Sequence, residues 1–451
     1  MLERKTGVIM PTKADVHAMD SGSCETRSCS SWTDDLPACQ LSAVGFCAGQ
    51  TAATETPKNS EQTCQDCWFR FRPEPDTWVY GLLSALGGMM TADFARERLP
   101  AELLLGQLEA APGDVQVRDV LRQGFLLVDR AFLQSIDTLL LNRATLQLQL
   151  QNVSAYELLT RQPMLADELS RVNRQISAAC SASLAVLRRG RLFVAHVGLG
   201  RVLLVRKDGS TLSVEQLSVE HSVANEDELL RLVQLGLDPE ALRAQPPPLT
   251  RCLGGYLLKA GHKESPLLRE AKEEPVLAEP EICGGIRVDE SCLYLLLLSE
   301  GLCQALKDAG MQDPNQEIAQ MVDQEVSTQS SLARAAQTVV NRVALLQATA
   351  GGQRCQGGLT LLVRPLQQQP ERREPASAVD DPPGINADTP ESTLSSYESA
   401  GPTKALFRRG QKAPPQLDDE GRLEPYVDFG PFFTLAQEAV RQGTWPSYLE
   451  L

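Results

Sequence analysis

The stretch that most constrains the fold is ASLAVLRRGRLFVAHVGLGRVLLVRK, at residues 182–207. It consists of short apolar runs, rich in Val and Leu, that are interrupted by glycine. Arg189-Gly190 is a turn signal between the first two runs, and a third run begins after Gly198. The sequence therefore predicts a β-hairpin followed by another strand. Strands that follow one another in this way pair without an intervening helix, which argues against strict βαβ alternation.

Helical patterns lie on both sides of this stretch. Apolar residues recur with helical spacing at 91–111, 115–150, 225–237 and 315–347. Further β-like runs are WVYGLL at 78–83, GYLLKAG at 255–261, SCLYLLLLS at 291–299 and GGLTLLVRP at 357–365. Helix pairs between groups of strands predict an α+β fold, a sandwich in which antiparallel sheets and helices pack in layers.

Changes in composition indicate the domain organisation. Residues 1–29 are polar and aperiodic, and residues 367–417 are rich in Pro, Ser and Gln, so we expect both to be disordered. Residues 30–366 are expected to form the folded domain. Apolar character returns in 418–451, and an apolar segment after a flexible linker is typical of a docking segment.

Charge and hydropathy exclude several classes of partner. The formal net charge of −15 makes nucleic acid an unlikely partner. The longest apolar run, CLYLLLL at 292–298, is much shorter than the roughly 20 residues of a membrane span. The N-terminus lacks the apolar core of a signal peptide, so we expect a cytoplasmic protein without a membrane span. Free thiols are then expected, although Cys24, Cys29, Cys64 and Cys67 leave open a zinc site.

The sequence contains little catalytic chemistry of its own. It has no nucleotide-binding loop, zinc-protease motif or nucleophile elbow. His196 lies inside an apolar run, where we expect a packed, hydrogen-bonded strand residue rather than a general base. Glu300 follows the apolar run 292–298, and a carboxylate at such a position can bind a hard cation. One carboxylate alone makes a poor metal site.

The order of these segments resembles the metal-dependent Ser/Thr protein phosphatases of type 2C, over residues 32–366. The resemblance implies two antiparallel sheets packed face to face between helical layers. It also implies hydrolysis of phosphoserine and phosphothreonine by water that two Mn²⁺ or Mg²⁺ ions activate. Aspartates hold these ions in that family.

The family's acidic residues are missing at most of the matching positions. Its turn Asp-Gly-His-Gly-Gly is matched by SALGG at 84–88, its Ser-Asp-Gly by SEG at 299–301, and its final Asp-Asn-Met-Thr by GGLT at 357–360. Ser84, Ala85 and Gly357 cannot replace the hydration of a divalent cation, and Glu300 cannot do so alone. We therefore expect a pseudophosphatase with no metal or other cofactor. The alternative is a divergent metal-dependent Ser/Thr protein phosphatase with a one-metal site around Glu300.

Several segments carry a closer resemblance, to adaptors that bind TGF-β-activated kinase and contain a phosphatase-like domain. They include SWTDDLPACQLSAVG at 31–45, VEHSVANEDELLRLVQLGLD at 219–238 and above all DDEGRLEPYVDFGPFF at 418–433. This resemblance implies an adaptor without phosphatase activity whose C-terminal segment binds and activates the catalytic domain of that MAP kinase kinase kinase. It implies a role in stress and cytokine signalling toward MAP kinases and NF-κB. Other signalling adaptors and a stress-activated MAP kinase are further candidate partners, although the linker contains no convincing docking motif.

The C-terminal segment EPYVDFGPFFTLAQEAV, at 424–440, has an extended start before Pro425 and can begin a helix at Pro431. By resemblance, its kinase-binding residues are Tyr426, Val427, Phe429, Phe432 and Phe433, with Phe429 as the main aromatic anchor. Leu435 lies on the same helical face as Phe432. Gly430-Pro431 replaces helix-forming residues of the adaptor family, so the helix starts later here. The alternative is that this tail folds back onto its own domain.

Overall fold

A computed structural model describes residue 36 and residues 38–48, 66–150, 163–209, 211–350 and 357–367. In this part of the chain the strands are β1 Ala43–Cys47, β2 Asp66–Glu74, β3 Thr77–Leu86, β4 Ala179–Arg188, β5 Arg191–Val197, β6 Arg201–Asp208, β7 Thr211–Gln216, β8 Leu253–Gly254, β9 Glu281–Arg287, β10 Cys292–Leu298 and β11 Leu359–Pro365. The helices are α1 Met90–Leu104, α2 Gln107–Ala110, α3 Asp114–Ser135, α4 Asp137–Leu150, α5 Pro163–Ser177, α6 Glu226–Gln234, α7 Pro239–Ala244, α8 Glu300–Asp308, α9 Pro314–Thr328 and α10 Leu332–Thr349.

The strands form two antiparallel sheets. One contains five strands in the order β1-β11-β10-β6-β7, and the other has the order β2-β3-β4-β5-β9, with the short β8 paired to β4. The predicted hairpin is the pair β4–β5, in which Arg188 is opposite Arg191. Arg189 and Gly190 form its turn with φ of 51° and 72°, the left-handed conformation that such two-residue turns require.

Apolar side chains bury both faces of each sheet. Along β10, Leu295 and Leu297 belong to the core between the two sheets, whereas Leu296 and Leu298 pack with helices α8, α9 and α10. On the other sheet, strand residues such as Leu184 pack with α1 and α3. Since successive strand residues point to opposite faces, a continuous run of leucines suits a strand that is buried on both sides. The predicted α+β sandwich of two packed antiparallel sheets flanked by helices is confirmed.

The structure differs from the sequence-based expectation in several elements. The helical pattern 115–150 is divided into α3 and α4 at Ile136. The run 255–261 is not a strand, because Gly254 and Gly255 have φ of 68° and 72° and a 3₁₀ helix, Tyr256–Leu258, follows. Strands β1, β2, β7, β8 and β9 were not expected from the sequence. Among the described helices, none combines the length and apolar character that crossing a membrane requires.

Candidate functional site

The candidate site lies where the ends of β2, β3, β4 and β11 meet the loop after β10. Asp66, the first residue of β2, is opposite Ser84 near the end of β3. Ser84 is opposite Ser181 on β4. Thr360 lies in β11, and Ser299 and Glu300 follow β10 directly. The site therefore brings together residues from both sheets.

Asp66 makes the central contact of the site. The Thr360 hydroxyl donates a hydrogen bond to Asp66 Oδ2 at 2.7 Å, between residues that are 294 positions apart in the sequence. Both side chains are buried. Burial raises the pKa of Asp66 to about 6, although hydroxyl groups of Thr360, Ser84 and Ser299 oppose this rise and the charge of Glu300 adds to it. Part of the Asp66 population therefore binds a proton at mildly acidic pH.

Ser299 connects β10 to β11 at the site. Its hydroxyl donates to the Gly358 carbonyl at 3.1 Å and accepts from the Thr360 N–H at 2.9 Å. The same oxygen caps α8 by accepting from the Leu302 N–H. The loop that leads into β11 is therefore fixed beside Asp66.

Glu300 is the first residue of α8, and it approaches β4. The Ser181 hydroxyl donates to Glu300 Oε2 at 3.4 Å, and the Leu199 N–H donates to the same hydroxyl at 3.4 Å. Burial raises the pKa of Glu300, with the negative charge of Glu220 adding to the rise and the Ser181 hydroxyl opposing it. Glu220 itself is paired with Arg201 at 2.5 Å.

Glycines allow the backbone to bend and to approach these side chains closely. Gly87 and Gly88, directly after β3, have φ of 77° and 144°. A Cβ atom on Gly358 would lie 2.9 Å from Asp66 Oδ2, and one on Gly198 would lie 2.1 Å from Ser181 Oγ. The turn that the resemblance implies within 84–88 is present at Gly87-Gly88, but β3 extends through Ser84 and Ala85 to Leu86 before the turn begins.

These residues do not fit the pair of divalent cations that the phosphatase resemblance implies. Asp66 and Glu300 supply the carboxylates of the site, and its other side chains are hydroxyl groups. Across the described ranges, no group of three or more His, Cys, Asp or Glu side chains could hold a metal ion. Two hard cations need several anionic oxygens to replace their hydration and to activate water.

A buried histidine pair lies beside the site. The rings of His196 and His221 stack with centroids 5.4 Å apart. His196 Nε2 donates to the Gly198 carbonyl, so its Nδ1 accepts from the Ser183 hydroxyl at 3.0 Å. Burial lowers the pKa of His196 to about 4 and that of His221 to about 3. His196 is thus the packed, hydrogen-bonded strand residue that the sequence predicts.

A shallow depression of about 380 Å³ lies next to the site, on the side of β6 and β7. Its lining includes Arg201, Ser218, Glu220 and Asn225. Arg201 also donates to Asn315 at 2.8 Å, and Lys307 lies 3.3 Å from Glu220. The charged groups here are paired with one another.

Several predicted residues lie outside the described part of the chain. These are the kinase-binding set Tyr426, Val427, Phe429, Phe432, Phe433 and Leu435, and three of the four cysteines for which zinc was considered, Cys24, Cys29 and Cys64. Cys67 is described, and it is buried in β2, where its Sγ lies 3.5 Å from the Ala92 carbonyl oxygen.

Asp66, Ser181 and Thr360 are site residues that were not expected from the sequence. Thr360 is part of the GGLT segment at 357–360, but its role in the site is the hydrogen bond to Asp66. The available signal for Asp66 was its position directly before the apolar and aromatic run CWF at 67–69.

A family model described as protein phosphatase 2C matches residues 48–350. A Caenorhabditis elegans protein named "TGF-beta-activated kinase 1 and MAP3K7-binding protein 1" is 25% identical over 261 residues, which is 56% of this chain and 62% of that protein. The match therefore spans less than two thirds of the relative's length.

Solved structures with similar folds include a serine-threonine phosphatase 2C from Toxoplasma gondii. It has a TM-score of 0.48 and 13% identity, and the match covers 73% of this chain and 96% of that one. A C. elegans sex determining protein has a TM-score of 0.45 and 14% identity, over 72% of this chain and 64% of that one.

Proposed function

The chain belongs to the protein phosphatase 2C family, and on that premise we propose that it is a catalytically inactive adaptor that binds and activates TGF-β-activated kinase. In this proposal the phosphatase-like domain carries no metal-dependent chemistry, and the C-terminal segment engages the catalytic domain of the kinase. The adaptor acts in the cytoplasm, in stress and cytokine signalling toward MAP kinases and NF-κB.

The observation that supports inactivity is the chemistry of the site. Ser84 stands opposite Asp66 where the family's turn carries an aspartate, and Gly357 stands where its final aspartate lies. The Asp66 carboxylate accepts from Thr360 and is buried. A carboxylate pair with neutral hydroxyl neighbours lacks the anionic oxygens needed to hold two cations, and it is those cations that lower the pKa of the water bound between them.

Two observations support the kinase partner: the name of the C. elegans relative and the aromatic residues of the C-terminal tail. The C. elegans relative is named as a kinase-binding protein. The tail carries the aromatic residues Tyr426, Phe429, Phe432 and Phe433 within eight positions. Aromatic side chains that become buried are common binding hot spots, which commonly cost 2 kcal/mol or more on truncation.

Inactivity is tested by phosphate release from a phosphothreonine peptide in the presence of Mn²⁺ or Mg²⁺. We expect the full chain to release no more phosphate than a blank without protein. An active type 2C phosphatase, assayed in parallel, verifies the substrate and the metal. Metal-dependent release by the wild-type chain that Glu300→Gln abolishes would overturn the proposal.

Kinase binding is tested by capture of the full chain on the immobilised kinase catalytic domain. We expect Phe429→Ala to weaken capture by about 30-fold, which corresponds to the loss of one aromatic hot spot. Phe407→Ala, in the 367–417 linker, is the matched control and should bind like the wild type. Equal capture of Phe429→Ala and wild type would show that the tail assignment is wrong.

One observation favours a second candidate function, that of a divergent metal-dependent Ser/Thr phosphatase. Asp66 supplies a second carboxyl group near Glu300, close enough for the charge of Glu300 to raise the pKa of Asp66. A one-metal site would require both side chains. The same peptide assay decides, since only this candidate predicts turnover that either Asp66→Asn or Glu300→Gln removes.

A further inference from the structure

Polar contacts join the two sheets at the candidate site. Asp66 on β2 belongs to the six-stranded sheet, and Thr360 on β11 belongs to the five-stranded sheet. Their side chains are joined by the 2.7 Å hydrogen bond. Ser181 on β4 and Glu300 after β10 form a second contact between the sheets, at 3.4 Å. We call Asp66, Ser181, Ser299, Glu300 and Thr360 the interlayer cluster.

We propose that the interlayer cluster joins the two sheets without a metal ion, so that the folded state of this domain is independent of divalent cations. Within the cluster, Glu300 occupies a position that the phosphatase resemblance assigns to a metal ligand, and Asp66 lies opposite Ser84, which occupies another. Here hydrogen bonds between side chains of the two sheets take the place of cations. The inference concerns the stability of the domain, and it can be tested separately from kinase binding.

Burial makes these contacts important for stability. Thr360 is 0% exposed, Ser299 is 1% exposed, and Asp66 and Ser181 are each 3% exposed. A buried polar group that loses its partner is left without solvent to replace it, which costs more than the net contribution of the hydrogen bond. Each member of the cluster is therefore expected to depend on the others.

The backbone around the cluster disfavours a cation bound to Asp66. Gly358 lies so close that a Cβ on it would be 2.9 Å from Asp66 Oδ2, and a Cβ on Gly301 would be 2.3 Å from the Gly358 carbonyl oxygen. The Oδ2 atom already accepts from Thr360. A cation on this oxygen would compete with the Thr360 hydroxyl for Oδ2, in a space that the backbone at Gly358 narrows.

The first test is thermal unfolding of the full chain in a chelator and in millimolar Mn²⁺ or Mg²⁺. We expect the unfolding midpoint to agree within about 1 °C between these conditions, because a ligand that does not bind the native state cannot stabilise it. A rise of several degrees in Mn²⁺ that Asp66→Asn abolishes would overturn the proposal, since it would identify a cation site.

The second test is a double-mutant cycle of Asp66→Ala and Thr360→Val. We expect each single variant to lower the midpoint by about 3–8 °C, from the usual cost of an unpaired buried group. The double variant should lose clearly less than the sum of the two. The matched control is Asp208→Ala with Thr211→Val, an exposed pair of the same residue types that face each other in the β6–β7 hairpin.

Conservative variants keep the second test informative if Asp66→Ala does not fold. Thr360→Ser retains the hydroxyl donor, and Asp66→Asn retains an oxygen acceptor. Both should unfold within about 3 °C of the wild type, closer to it than Thr360→Val does. Two results would contradict the proposal: additive effects in the cycle, or equal unfolding midpoints for Thr360→Ser and Thr360→Val. Either would show that the hydrogen bond between the sheets does not stabilise the domain.

Discussion

The buried ion pair between Lys259 and Asp129 allows a prediction whose magnitude follows from the geometry. Lys259 Nζ lies 2.6 Å from Asp129 Oδ1 and 2.9 Å from the Cys252 carbonyl oxygen. The Lys259 side chain is only 1% exposed. Asp129 Oδ1 also accepts from the Gly254 N–H at 2.7 Å. The pair thus joins α3 to the turn that follows β8.

Replacement of Asp129 by Asn removes the negative charge but keeps an oxygen that can accept from Gly254. The Lys259 ammonium then remains buried with no charged partner. Breaking a buried pair in this way typically costs about 3–5 kcal/mol, because the desolvated charge is no longer compensated. Addition of Lys259→Met removes that charge with little change in volume. We therefore expect Asp129→Asn/Lys259→Met to recover at least half of the loss.

Guanidinium denaturation of the full chain, followed by tryptophan fluorescence, measures these free energies of unfolding. Arg122 and Glu279 form an exposed ion pair at 3.1 Å, and Glu279→Gln is the control, with an expected change below about 1 kcal/mol. A loss below about 1 kcal/mol for Asp129→Asn would contradict the assumed cost of the unpaired ammonium. A double variant no more stable than the single one would contradict it as well.

Three further predictions concern the candidate site and its surroundings. His196 and His221 have pKa values of about 4 and about 3, below the ordinary 6.5, so the unfolded state binds protons first as the pH falls. Each histidine should therefore lower the free energy of unfolding by about 2 kcal/mol between pH 7 and pH 5. In denaturation experiments at the two pH values, the free energy of unfolding of His221→Phe should decrease by less than that of the wild type. Asp66 acts in the opposite direction, since its pKa is raised to about 6 and its stabilising contribution is lost as the pH rises through 6. Asp66→Asn lacks the stability that protonation of Asp66 adds as the pH falls. Between pH 7 and pH 5 in the same denaturation series, its free energy of unfolding should therefore decrease by about 1 kcal/mol more than that of the wild type. Ser84→Asp places another carboxylate opposite Asp66, so we expect a lower unfolding midpoint in chelator and a rise on addition of Mn²⁺ in this variant alone.

Short sequence patterns were sufficient to predict the turns and strands that depend on neighbouring residues. The turn at Arg189-Gly190 needs left-handed backbone, and a glycine at that place in the sequence indicates it. The run 292–298 indicates a strand buried on both faces, because it is too short for a typical helix of the core and rich in leucine.

The missed features depend on contacts that no local window contains. Asp66 acquires its environment from Thr360, which lies 294 positions away. The division of 115–150 at Ile136 depends on tertiary packing, since Ile136 is fully buried in a cluster with Val172 and Ile176 of α5. The apolar periodicity continues across that boundary, so the sequence alone gives no sign of it.

In the proposed function, replacement of the family's acidic residues both lowers metal affinity and stabilises the site without cations. Carboxylates that share a buried site repel one another unless cations or protons neutralise them. A neutral Ser84 opposite Asp66 and a neutral glycine pair before Thr360 reduce that repulsion, and the hydroxyl of Thr360 donates to the Asp66 carboxylate. The Gly87-Gly88 turn still bends the chain after β3. In these proposals, each substitution that lowers metal affinity also lowers the energetic cost of folding without bound metal. The fold can therefore persist after the metal-dependent chemistry is lost.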